Sequence, residues 1–147
     1  MKIYLDNAAT TPIDPQVVQA MLPILENNYG NPSSIHSLGR ESRVIIEQAR
    51  KKVASFINAA PSEIFFTAGG TEADNMVLRS AVNDLGVNHI ITSPLEHHAV
   101  IDTAEHLGSG GAVKLSLVKH DAKGHVDLVY LEELLAENKD KNTLVSL

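Results

Sequence analysis

Phe65-Phe66-Thr67-Ala68-Gly69-Gly70-Thr71-Glu72-Ala73-Asp74-Asn75 is the stretch whose reading sets the fold. Ile64 and the two phenylalanines form a short buried strand candidate. The paired glycines then turn the chain, and Ala73, Met76, Val77 and Ala81 mark a helix that starts at once. The first N–H groups of a helix have no internal partner, and the helix dipole adds partial positive charge there. Without a Cβ at Gly69 or Gly70 a phosphate can approach those amides closely, and Thr71 offers a hydroxyl. Two readings fit this window: Thr71-x-x-Asp74 as a capping box on a structural helix, or the helix start as an anion site. It lacks the spaced glycines of a dinucleotide fingerprint and the Gly-Lys-Ser/Thr of a P-loop.

Outward from this point, short apolar runs alternate with amphipathic stretches. Downstream, residues 89–92 read as a strand, 99–107 as a helix closed by Gly108-Ser109-Gly110-Gly111, and 113–118 as an alternating strand. Asp127 is placed to cap a helix carrying Leu128, Leu131 and Leu135, and 143–147 read as one more strand. Upstream, Ile3-Tyr4-Leu5 is a short extended segment. Pro15 opens a helix whose Val17, Val18, Met21, Leu22 and Leu25 have the spacing of a buried stripe. Residues 27–34 are a loop by composition. Ile45, Ala49, Val53 and Ile57 then step through a helix over 38–57, with Arg and Lys in its second half suiting the negative end of the dipole. This alternation predicts an α/β fold, a mostly parallel sheet with helices on both faces. No internal repeat or low-complexity linker interrupts it. The chain stops inside an apolar run, so the expectation is a truncated domain.

Composition narrows the function. The 147 residues suit one domain, and 44% hydrophobic with 20% charged residues describes a globular chain. The net charge is −6, basic residues are scattered apart from Arg50-Lys51-Lys52, and aromatic residues are few, so nucleic acid is not an expected partner. No apolar run has the length of a membrane span, nothing resembles a signal peptide, and a cytoplasmic location is expected. There is no cysteine, which excludes a disulfide, a zinc thiolate site or a cysteine nucleophile within these residues.

Three further segments carry polar chemistry. Ser93-Pro94-Leu95-Glu96-His97-His98-Ala99-Val100 leaves its strand at the carboxyl edge, where ligands sit in open parallel sheets. A flat imidazole there can stack on an aromatic cofactor, while a solvated helix start explains the same residues. Adjacent histidines point in different directions, so no metal is expected. Tyr4-Leu5-Asp6-Asn7-Ala8-Ala9-Thr10-Thr11-Pro12 puts small residues after a short strand, either for close approach by a ligand or subunit or as a simple connection. Gly30-Asn31-Pro32-Ser33-Ser34-Ile35-His36-Ser37-Leu38-Gly39-Arg40 is a long polar loop, functional or merely capping.

Together these segments resemble the NifS/IscS-like cysteine desulfurases, in the class V aminotransferase group of fold-type-I pyridoxal 5'-phosphate (PLP) enzymes. The stretches that match are Tyr4 to Pro12, Gly30-Asn31-Pro32-Ser33-Ser34-x-His36 with Gly39-Arg40, and Phe66-Thr67-x-Gly69-x-Thr71-Glu72. Glu96-His97-x-Ala99-Val100, Gly124-x-Val126-Asp127 and Thr143-Leu144-Val145-Ser146 follow in the expected order. The sequence departs from the pattern at Ala68, where Ser is frequent, at Gly70, where Ala is usual, and at Asp74, where Ser, Ala or Asn is common.

The resemblance implies the N-terminal portion of a PLP-dependent transferase: an N-terminal segment over about 1–15 and the start of the cofactor-binding large domain over about 16–147. It implies that Gly70 and Thr71 bind the cofactor phosphate and that His97 stacks on the pyridine ring and assists proton transfer. Asn7, Ala8, Ala9 and His36 would lie near the active-site entrance. The complete enzyme would hold PLP as a lysine Schiff base, convert L-cysteine to L-alanine and leave a persulfide on a mobile-loop cysteine. The sulfur would pass to an acceptor protein for iron–sulfur cluster assembly or tRNA thiolation, and the enzyme would be a homodimer. The Schiff-base Lys and catalytic Cys would lie downstream, leaving these residues inactive alone. Sibling readings are a selenocysteine lyase or an aminotransferase of the same group. A non-enzymatic phosphate- or nucleotide-binding α/β module is the reading from a different class.

Overall fold

His89-Ile90-Ile91-Thr92 forms strand β1 (His89–Thr92), and all four residues are buried. The structure, a computed structural model, describes residues 3–147. β1 is the middle of a three-stranded parallel sheet, between β2 (Lys114–Leu117) and β3 (Thr143–Val145). His89 pairs with Lys114 on one side and with Thr143 on the other, so a single register runs across all three strands. A strand hydrogen-bonded on both edges and covered on both faces favours the unbroken apolar Ile90-Ile91 pair.

The described residues form five α-helices: α1 (Pro15–Asn27), α2 (Ser37–Phe56), α3 (Gly70–Asn83), α4 (His98–Gly108) and α5 (Leu128–Glu137). Successive strand residues point to opposite faces. Ile90 accordingly packs with Ala81 of α3, Ala104 of α4, Val87 and Val113. Ile91 packs on the other face with Val118 and Leu134, flanked by Tyr130 and Leu131 of α5. The expected parallel sheet with helices on both faces is therefore present. Asp127 caps α5 as expected, accepting from the Tyr130 amide at 3.0 Å.

The chain divides into two compact units, one ending at Phe65 and the other spanning Phe66–Leu147. The sheet belongs to the second. In the first, Asp14 accepts the Gln16 amide at 2.7 Å to open α1, with Pro15 in the first turn as expected. His36 caps α2 by accepting the Gly39 amide on Nδ1 at 3.3 Å.

Several expectations fail. Residues 64–66 form no strand: a 3₁₀ turn (Pro61–Glu63) leads into extended backbone with no neighbouring strand to pair with, and Phe65 and Phe66 are exposed. Ile3-Tyr4-Leu5 is likewise unpaired and exposed. The stripe on α1 is real as a pattern but not as a core, since α1 buries no residue and Val17, Val18, Met21, Leu22 and Leu25 are all exposed. The second half of α2 does carry Arg50, Lys51 and Lys52 as expected, although its last turn holds no basic residue. Arg50 also binds the Ile64 carbonyl and Glu47.

Candidate functional site

α3 starts at Gly70, and its first intrahelical bond runs from the Ala73 amide to the Gly69 carbonyl at 3.2 Å. The amides of Gly70, Thr71 and Glu72 consequently have no carbonyl within the helix to bind. No side chain caps this end. Thr71 therefore lies inside the first turn and does not act as the N-cap that a Thr71–Asp74 box requires, and among the described residues its hydroxyl makes no hydrogen bond. Glu72 reaches back instead, its carboxylate accepting the Ala68 amide at 2.6 Å. That contact directs the acid nearest the cradle onto the preceding loop. Asp74 lines a separate hollow with Val77, Leu78, Val100 and Leu144.

A Cβ built on Gly69 or Gly70 would meet nothing within 4 Å. Packing inside the chain thus demands neither glycine, and the space in front of the amides is open. It forms a depression of about 600 Å³ lined by Ala68, Gly69, Gly70, Thr71, Glu72 and Asn75. Three unpaired amides, one unpartnered hydroxyl and the positive end of a 14-residue helix are the donor set an anion takes. These residues fit the phosphate of PLP.

His97 is the N-cap of α4, and its Nδ1 accepts the Ala99 amide at 3.1 Å. That bond fixes the ring and occupies one nitrogen, so Nε2 is the position left to hold or release a proton. The ring is exposed. His98 turns away toward Asp102, 3.3 Å from Nδ1, with its ring at 70° to that of His97. The loop carrying His97 is anchored too: the Ser93 hydroxyl accepts the Leu95 amide at 2.9 Å and lies 2.9 Å from His120 Nε2.

Asn75 joins the two helix starts. Its Nδ2 donates to the Thr71 carbonyl at 3.0 Å and to the Ala99 carbonyl at 3.3 Å, and its Oδ1 accepts the buried Thr103 hydroxyl at 2.9 Å. Gly70, Thr71 and His97 are thereby brought to one edge of the same unit. Asn7, Ala8 and Ala9 lie in the other unit, in an exposed turn where the Ala9 and Thr10 amides share the Asp6 carbonyl, and His36 of that unit caps α2. Sequence reasoning missed Asn75, Ser93 and His120 as site-building residues. Asn75 meets its partners 24 and 28 positions away, a separation at which no local pattern gives a signal.

The sequence model of the family described as aminotransferase class-V matches residues 3–147. Among curated proteins the chain is 46% identical over 140 residues to the putative cysteine desulfurase IscS 1 of Bacillus subtilis, covering 93% of this chain and 36% of that protein. It is 43% identical over 151 residues to the mitosomal cysteine desulfurase of Trachipleistophora hominis, covering 99% of this chain and 33% of the relative. A solved structure of a NifS-like protein superposes with a TM-score of 0.84 at 32% identity, covering all of this chain and 49% of the other. One described as SspA in complex with cysteine gives 0.75 at 34% identity, covering 86% and 37%. The chain spans about a third of the length of the curated relatives it matches. With a family match along the whole described length and a NifS-like fold around its glycine turn, the chain belongs to the aminotransferase class-V family.

Proposed function

We propose that the protein containing this chain is a PLP-dependent cysteine desulfurase, and that these residues supply its phosphate cradle and its ring-stacking histidine. The observation that carries the reading is the uncapped start of α3, with open space before Gly69 and Gly70 and a free Thr71 hydroxyl. When bound, PLP supplies an electron sink for the bonds around the substrate α-carbon. Gly70, Thr71 and Glu72 donate backbone N–H groups to the phosphate, and Thr71 adds its hydroxyl. His97 lays its imidazole on the pyridine ring and moves a proton at Nε2. Asn7, Ala8, Ala9 and His36 are assigned to the substrate entrance. The curated relatives' names favour L-cysteine over the substrates of sibling enzymes.

The net reaction is L-cysteine plus an enzyme thiol giving L-alanine plus an enzyme persulfide. The C–S bond of cysteine breaks and an S–S bond forms. This chain contains no cysteine, so the accepting thiol lies outside these residues. A sulfur-acceptor protein takes the persulfide sulfur for iron–sulfur cluster or thio-cofactor assembly, and the enzyme works as a cytoplasmic homodimer. Among the described residues no helix is long and apolar enough to cross a membrane.

The test uses the full-length protein purified with its cofactor. It should carry the visible absorption of bound PLP and release L-alanine from L-cysteine. Thr71→Ala should weaken PLP binding about tenfold to a hundredfold, the scale of a hydrogen bond to a charged group. Absence of PLP, with nucleotide and not PLP raising the melting temperature, would establish the phosphate-module reading instead.

A further inference from the structure

We infer that Asn75 is a positioning residue that sets the spacing between the phosphate-binding amides of α3 and the imidazole of His97. The inference rests on the functional reading above and adds a residue to it.

A carboxamide has two N–H donors and one oxygen with two lone pairs. Asn75 uses all four. Nδ2 donates to the carbonyls of Thr71 (3.0 Å) and Ala99 (3.3 Å), and Oδ1 accepts from Thr103 Oγ1 (2.9 Å) and Arg79 Nε (3.4 Å). The amide can face only one way, because both carbonyls are pure acceptors and a flip would set oxygen against oxygen. Helix formation does not explain the residue, since Asn is a below-average helix former. What its contacts have in common is location. Thr71 is the cradle residue, and the amide of Ala99 holds His97 Nδ1 at 3.1 Å. One side chain thus connects the two groups that grip opposite ends of one ligand. Thr103 is buried (6% exposed), and its hydroxyl keeps the carboxamide from rotating away.

A ligand held at both ends needs the correct spacing, and a ligand held at one end does not. The experiment therefore measures three probes on the full-length protein: PLP, pyridoxal without its phosphate, and inorganic phosphate. Asn75→Ala should weaken PLP about tenfold, the scale of one or two net hydrogen bonds, and change each single-ended probe less than about twofold. The visible circular dichroism of bound PLP should change with it, because the ring tilts. Asn75→Asp keeps the shape and loses both donors, and should behave likewise. Thr103→Val removes one hydroxyl and should shift PLP affinity a few-fold in the same direction. It carries the test if the Asn75 variants do not fold. Equal losses on all three probes, or unchanged PLP affinity, would overturn the inference. A wild-type protein that binds none of the probes removes the functional reading and this inference together. Wild-type binding with unaltered Asn75 variants removes the inference alone.

Discussion

His89 is fully buried, yet both ring nitrogens are engaged. Nδ1 lies 3.0 Å from the Thr143 hydroxyl and Nε2 2.9 Å from that of Ser116, so one imidazole ties β1 to both neighbouring strands. Burial first, then the charges of Lys114 and Lys141, hold its pKa below the ordinary 6.5. The native state therefore resists a proton that the unfolded chain accepts near 6.5. Below that pH the unfolded state binds more protons, and stability falls as pH drops toward the lowered native pKa. Melting temperature should decline as pH falls through and below about 6.5, and His89→Gln should flatten that decline while costing about 1–3 kcal/mol at neutral pH through the hydroxyls it leaves underserved. Equal pH slopes in the two proteins would refute the assignment. The residue was legible only as part of a strand. Its bond to Thr143 spans 54 positions, and nothing in residues 89–92 announces it. Thr71 and His97 stand out in the sequence because each lies at a helix start that can be read locally, whereas Asn75 and Ser93 act through partners that only folding supplies.

The elements follow the same division between local and distant causes. The starts of α1 and α5 were readable, since Pro15 and Asp127 act within a few residues. Residues 64–66 and the α1 stripe were misread because apolar periodicity specifies a face and not what covers it. The glycines separate packing from access. A Cβ on Gly39 would lie 2.5 Å from the Asn31 carbonyl oxygen and 2.7 Å from that of Ser34, and one on Gly30 would lie 2.3 Å from the Leu38 carbonyl oxygen. These two positions let the loop before α2 lie directly against its first turn. Gly39→Ala should cost about 1–3 kcal/mol, the usual penalty of overpacking. Gly70→Ala adds a Cβ into open space at a helical position and should leave stability unchanged or raise it by up to about 1 kcal/mol. Thermal melts without cofactor check both. A cost at Gly70 matching that at Gly39 would mean that the space before α3 is filled by the chain itself, which would also remove the room for a phosphate.

At the scale of the whole molecule, the features that look defective share one explanation. The chain exposes Val17, Met21, Leu22 and Leu25 on α1, Phe65 and Phe66 before the glycine turn, and Leu128 and Val129 on α5. Scattered apolar residues are normal on a surface, but helix faces patterned to be buried and left uncovered are not. The relatives it matches are about three times as long, and a protein of that length has further polypeptide with which to cover such faces. The 147-residue chain on its own should therefore bind a hydrophobic dye and self-associate as concentration rises in sedimentation velocity. It should also form no persulfide and release no alanine from L-cysteine, even with PLP added, because it contains no thiol to receive the sulfur. These outcomes separate two ideas. A monomeric, dye-silent chain would show that the exposed faces need no partner, while desulfurase turnover from this chain alone would show that the sulfur leaves by a route that uses no enzyme thiol.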